Sequence, residues 1–334
     1  MRRRLVALVT LPMMGAAVMA AGLAQQASQR PAPAPPNFDT VQVRSFKVQG
    51  SVYMLAGAGG NVTVQIGDQG VLVVDTQFAP MADKLLAEIR RIASDKPIRF
   101  IINTHLHPDH VGGNEKFRQA GQSIIAGNVA GDIRDMGAAI LAHENTLLRM
   151  SKTAPGQAPI PADGLPTDTF FGDKDELFFN GEAIELVHVP HAHTDGDVMV
   201  FFRKSDVISA GDIYVNTIYP YIDVPAGGTI NGIIAGLNRI IDITVPRDKQ
   251  EGGTMVIPGH GRIGDEADVV EYRDMVSIIR DRVQEMIQKK MTLQQVRSAR
   301  PTSDYDGRYG ATSGFWTTDQ FVDAVYNTLQ ERRK

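Results

Sequence analysis

The chain has 334 residues, 43% of them hydrophobic, and its 34 basic and 38 acidic side chains give a formal charge of −4. That is enough apolar material for a sizeable core, and the slight acidic excess carries none of the basic footprint of a nucleic-acid binder. There are no cysteines, which excludes disulfides, thiolate metal ligands, a cysteine nucleophile and a lipid anchor on cysteine.

Met1-Arg2-Arg3-Arg4 is basic, Leu5 to Leu23 is apolar, and Gly22-Leu23-Ala24 ends on small residues before Gln25. This order predicts a secretory signal peptide over 1–24, hence a periplasmic protein with no stable membrane insertion after cleavage. Residues 25–42, through Pro31-Ala32-Pro33-Ala34-Pro35-Pro36, read as a disordered, proline-rich linker. Residues 43–334 are expected to form one domain closing in a C-terminal helical extension.

Short β-branched runs at 46–49, 52–55, 61–66 and 71–74, separated by glycines, predict strands. Ala79 to Ala93 reads as a helix, with Leu85, Leu86, Ile89 and Ile92 at helical spacing. Ile98 to Asn103 reads as a buried strand, 114–121 as a short helix, 123–126 as a strand and 130–150 as a helix. Thr153 to Asp168 reads as an ordered loop or lid. Further strands are expected at 177–179, 183–189, 198–202, 207–209 and 255–257, with a turn at Asn180-Gly181. Helices are expected at 230–241, 265–290 and 317–333. Strands and helices thus alternate in two similar halves, which suits a two-sheet core covered by helices.

Three histidines and an aspartate fall within residues 105–110, directly after the apolar strand: His105, His107, Asp109 and His110. Imidazole and carboxylate are natural ligands for zinc and its neighbours. His105 and His107, two apart, face the same way in extended backbone, while Asp109 and His110 can serve a second ion. Further ligand types follow later strands: His191, His193, Asp195 and Asp197 after Val189, Asp212 after Ser209, and His260 after Ile257. Loops at strand ends are where scaffolds carry chemistry.

In these pieces the chain resembles the metallo-β-lactamase fold superfamily of metallohydrolases. They are H-x-H-x-D-H as His105, His107, Asp109 and His110, then His193 in H-T-x-G-D, Asp212 in A-G-D and His260 in P-G-H-G. They come in the superfamily's order, and Asp75 in Val-Val-Asp-Thr matches its supporting aspartate. The resemblance implies an α/β (α+β) fold, a four-layer αββα sandwich. It implies that His105, His107 and His193 hold one zinc, that Asp109, His110 and His260 hold a second, and that Asp212 and a bridging water touch both. Another divalent metal is open in place of zinc. Asp75 would brace the metal loop. His193 is chosen over His191 because Thr-x-Gly follows it. His191 is left as a support, a substrate contact or a surface group, and His143 and His188 are read as structural.

The activity so implied is hydrolysis of an ester, thioester, lactone or amide bond in a small-molecule substrate by a metal-bridging hydroxide. Asp109 would act catalytically by orienting that hydroxide. A periplasmic β-lactamase is the alternative. Export favours it, whereas Asp212 stands near where true β-lactamases of the family carry Cys or Ser. An iron-containing oxidoreductase and a non-catalytic metal-binding protein are the rivals from other classes. The segment Asn216 to Ile222, rich in Tyr and Pro, reads either as a pocket wall or as ordinary loop packing.

Overall fold

The computed structural model describes residues 36–123, 137–152, 158–249 and 252–331. The expected signal peptide, most of the linker and all but Ser123 of the expected strand at 123–126 lie outside the described residues.

Two sheets form the centre. The first runs in chain order through β1 (Arg44–Gln49), β2 (Val52–Ala56), β3 (Val62–Gly67), β4 (Gly70–Val74), β5 (Ile98–Ile102), β6 (Ala139–His143) and β7 (Asp168–Phe170). It is antiparallel as far as β4 and parallel from β4 to β7. The second holds β8 (Lys174–Phe179), β9 (Glu182–His188), β10 (Val198–Phe202), β11 (Val207–Ser209), β12 (Met255–Ile257) and β13 (Gly264–Asp265), in spatial order β13-β12-β11-β10-β9-β8. Only its β11–β12 pair is parallel.

The helices are α1 (Ala82–Ala93), α2 (Pro108–Val111), α3 (Asn114–Ala120), α4 (Glu144–Met150), α5 (Ile230–Ile243), α6 (Glu266–Gln288), α7 (Leu293–Ala299), α8 (Asp306–Tyr309) and α9 (Thr318–Glu331). Side-chain alternation explains the layering. On β4, Val71 and Val73 pack under Leu85 and Ile89 of α1 and Phe117 of α3. Leu72 and Val74 turn the other way, into a core shared with Val198, Val200 and Phe202 of β10. On β10 the intervening Met199 and Phe201 face a third core with Ile233 and Leu237 of α5, Val276 and Ile279 of α6, and Phe321 and Val325 of α9. Three apolar interfaces between four layers make the expected αββα sandwich.

The inter-sheet seam is also polar. The buried Glu182 carboxylate accepts from Ser51 Oγ at 3.1 Å, Gln65 Nε2 at 2.8 Å, Ser205 Oγ at 2.8 Å and the amides of Lys204 and Ser205 at 3.1 and 3.0 Å. This ties the start of β9 to the first sheet. Thr63 Oγ1 donates to Ser209 Oγ across the same seam at 2.9 Å.

One expected element is wrong. The stretch 130–150 is not a single helix: its described part is strand β6 followed by α4. His143 is the last residue of β6 and accepts from the Asn145 amide as the cap of α4. Ala139 to Leu141 pair with β5 and Ile140 to Ala142 are buried, which overrides the helical spacing of Ile133, Met136, Ile140 and Leu147 in the sequence. The expected lid region holds a 3-10 turn at Ala162–Gly164 and leads into β7. Strands β7 and β13 and helices α7 and α8 were not expected. Among the described residues, no helix is long and apolar enough to cross a membrane.

Candidate metal centre

The centre lies at the ends of strands from both sheets. Beyond β5, the chain is held by a carboxylate at the end of the neighbouring strand: Asp75 accepts from Thr104 N at 2.8 Å and Thr104 Oγ1 at 2.7 Å. Asp75 sits at φ 63°, a left-handed conformation that Asp tolerates better than most residues. His105 and His107 follow in the loop, and α2 carries Asp109 and His110. From the second sheet come His193 after β9, Asp212 in the 3-10 turn Gly211–Ile213 after β11, and His260 after β12. The His193 loop folds around Asp197, whose carboxylate accepts from His193 N at 2.6 Å, Thr194 N at 2.8 Å and Thr194 Oγ1 at 2.6 Å. Burial pushes the Asp197 carboxyl up to about 8, against the pull of those three donors.

Three triads of potential ligand atoms each lie within 4.8 Å of one another: His105, His107 and His193; His105, His110 and Asp212; and Asp109, His110 and His260. Asp212 stands between the outer sets. Its Oδ1 is 3.3 Å from His110 Nε2 and 3.6 Å from His260 Nε2, and its Oδ2 is 3.8 Å from His193 Nε2. Asp109 Oδ2 lies 3.2 Å from His260 Nε2. Tetrahedral zinc with nitrogen ligands spaces its donor atoms by about 3.3 Å.

Hydrogen bonds on the far side of each ring fix what the near side offers. His193 Nδ1 donates to the Tyr221 carbonyl at 2.6 Å, His107 Nε2 to Asp223 Oδ2 at 2.9 Å, and His110 Nδ1 to Asp75 Oδ2 at 2.8 Å. Thr104 Oγ1 spends its proton on Asp75, so at 2.9 Å it accepts from His105 Nδ1. In its neutral form each of these rings turns a lone pair inward. The inward nitrogens of His193 and His107 are 2.8 Å apart, and those of His110 and His260 are 3.2 Å apart. His105 Nε2 and Asp212 Oδ1 are buried with no hydrogen-bond partner. The close approach of the His107 and His193 nitrogens and the orphaned buried acceptors are costly without a cation among them. The residues present fit a pair of divalent metals.

The electrostatics separate His105 and His193 from His110. Burial holds His105 well below its ordinary value and takes His193 down to about 4, so both are neutral near pH 7. Burial also acts on His110, but the Asp212 and Asp75 carboxylates outweigh it and raise that ring well above the usual range. Burial opposes ionisation of Asp212, yet the surrounding imidazoles hold it far below the usual carboxylate range.

The structure brings all seven sequence-predicted ligands together and places Asp75 against both the metal loop and His110. His191 is exposed, with Nδ1 on the Gly227 carbonyl, and lies outside the cluster. His143 and His188 stack on each other at 3.6 Å, away from it. Asp223 and the Tyr221 carbonyl were missed, because neither belongs to a spaced motif. The only hint was the aromatic segment ending at Ile222.

The chain matches the model of the metallo-beta-lactamase superfamily over residues 55–260, which takes in every one of these side chains. The chain belongs to the metallo-beta-lactamase superfamily. Among curated members it is 25% identical over 260 residues to a linear primary-alkylsulfatase of a Pseudomonas species, covering 67% of this chain and 46% of the relative. It is 26% identical over 166 residues to the 2,4-dinitroanisole O-demethylase subunit alpha of a Nocardioides species, covering 49% of this chain and 44% of the relative. The chain thus spans about half the length of these relatives. A type 2 metallo-beta-lactamase of a Bacillus species is 20% identical over 210 residues, covering 62% of this chain and 69% of that one. The solved metallo-beta-lactamase from Pontibacter korlensis superposes with a TM-score of 0.52 at 17% identity, covering 71% of this chain and 99% of that one. DIM-1 metallo-beta-lactamase does so with 0.52 at 19%, covering 71% and 98%. Likeness at this level shows the shared fold.

Proposed function

We propose that this superfamily member is a zinc-dependent hydrolase that cleaves an ester-type bond in a small molecule. The observation that carries the reading is the pair of ligand sets joined by Asp212, with the His105, His107, His110 and His193 rings each oriented by a partner behind them. His105, His107 and His193 would hold one ion, Asp109, His110 and His260 the other, and Asp212 would reach both. Bound there, two zinc ions would supply a nucleophilic hydroxide near neutral pH and polarise the scissile group.

The chain's own residues do the rest. Burial works against ionisation of Asp109, but His260 and His110 hold its carboxyl below the usual value. It is therefore an acceptor at neutral pH, and it orients the attacking water and takes its proton. Asp223 and the Tyr221 carbonyl keep His107 and His193 in one tautomer throughout. The buried surroundings strengthen each of these interactions. The curated relatives' names add sulfate esters and aryl ethers to the thioesters, lactones and amides that the site chemistry admits. Secretion of the chain to the periplasm is part of the same proposal and rests on residues 1–24.

The test is a screen of the zinc-loaded chain on an alkyl sulfate, a lactone, a glutathione thioester, an aryl phosphodiester and a chromogenic cephalosporin, with and without chelator. At least one should turn over, stop with chelator and resume with zinc. Asp109→Ala should lower kcat on that substrate by roughly 10²-fold or more. Turnover of none would sink the proposal.

A further inference from the structure

Beyond residue 260, where the family match ends, the chain returns to the centre. The loop between α8 and α9 is pinned at its base: Thr318 N donates to the Ala311 carbonyl at 2.9 Å, and Ala311 N to Thr318 Oγ1 at 3.1 Å. The loop carries Phe315 and Trp316. Both rings meet Tyr221 edge to face, at 4.9 and 4.7 Å between centroids. Tyr221 in turn lies 5.6 Å from the His107 ring and 5.3 Å from the His193 ring.

Two observations set this trio apart from ordinary packing. Phe315 is 66% exposed although it sits one ring away from the buried His193 and the half-buried His107. A lone exposed aromatic needs no explanation, but Phe315 is continuous with Tyr221 and Trp316 beside the centre, and a contiguous apolar patch marks a contact surface. The Trp316 indole N–H is buried without a partner, so stability alone does not account for where the ring lies.

We infer that Phe315, Trp316 and Tyr221 form an apolar subsite that takes an aryl group of the substrate next to the scissile bond. This rests on the reading of the centre as a hydrolase. Rings packed edge to face leave a flat face to stack on, and a planar group covers it with little loss of rotational freedom, which a linear alkyl chain does not match.

The chain has a single tryptophan, Trp316, so its fluorescence reports on this subsite directly. The zinc-loaded full chain is titrated with phenylphosphonate and with methylphosphonate. The phenyl compound should bind roughly three- to tenfold more tightly, the range expected of one aromatic stacking pair. Phe315→Ala should abolish that preference without weakening methylphosphonate. Phe178→Ala, at a residue 73% exposed on β8, should keep it. Equal affinities in the unaltered chain, a preference that survives Phe315→Ala, or no binding of either compound would overturn the inference. So would self-association that Phe315→Ala removes in the absence of any phenyl preference, since the face would then serve a second copy of the chain. Chelator-sensitive binding of methylphosphonate reports on the centre alone, so failure of the subsite is distinct from failure of the hydrolase reading.

Discussion

At the scale of single residues, the centre depends as much on what is small as on what binds. A Cβ placed on Gly60 would lie 2.2 Å from His110 Cε1 and 2.5 Å from its Nε2. Gly60→Ala should therefore push the imidazole off its position. Because supporting groups of this kind are worth 10- to 100-fold in metal affinity, a chelator competition should show zinc binding weakened by at least about tenfold. Unchanged affinity would mean that His110 has room to move. The ligands themselves were legible because they sit in short motifs: a single residue separates His105 from His107, and a strand end fixes where each motif points. Asp223 was not legible, because it meets His107 across 116 positions of sequence. Nothing local to Asp223 distinguishes it from an ordinary turn aspartate. The same holds for Tyr221, whose contribution to His193 is a backbone carbonyl that any residue type would provide.

At the scale of elements, strands were easier to read than the junctions between them. The apolar runs of β4 and β10 read correctly as strands, and they are continuous because both faces of each strand are buried. The helix expected over 130–150 failed because the helical spacing of Ile133, Met136, Ile140 and Leu147 does not exclude a strand, and the pairing of Ala139 to Leu141 with β5 decides between them. That junction also holds a titratable feature. His143 stacks on His188 with an angle of 8° between the ring planes, and burial followed by repulsion from His188 lowers it from 6.5 to about 4. The unfolded chain therefore takes up this proton more readily than the folded one. The stabilisation is complete above pH 6.5 and is lost as pH falls from there towards 4. The midpoint of denaturant unfolding should accordingly drop between pH 7 and pH 5. In His143→Asn, which keeps a capping acceptor for the Asn145 amide, the drop should shrink. An identical pH dependence in the two proteins would assign the acid sensitivity to other groups.

At the scale of the whole molecule, the two-sheet architecture could be anticipated from the alternation of elements, whereas the layer contacts could not. Which helix covers which sheet emerges only from side-chain matching, as where α5, α6 and α9 together cover β10. The proposed ligand sets each draw on both sheets, with His105 to His110 on one side of the seam and His193, Asp212 and His260 on the other. A bound ion would therefore hold the halves together as well as prepare chemistry. Zinc at about 100 times its dissociation constant should add roughly 2.7 kcal/mol, which for a protein of this size means several degrees in melting temperature. The gain should appear mainly as slower unfolding, since contacts this distant in sequence form late. A melting temperature indifferent to chelator would contradict that.

The same division of ligands has a consequence for synthesis. A chain growing from its N-terminus exposes His105, His107, Asp109 and His110 long before His193, and His260 emerges only after most of the second sheet has been made. Neither proposed set is complete on a nascent half. With ligands so divided, a complete set would exist only once the two sheets had met, and a loaded centre would certify a finished fold.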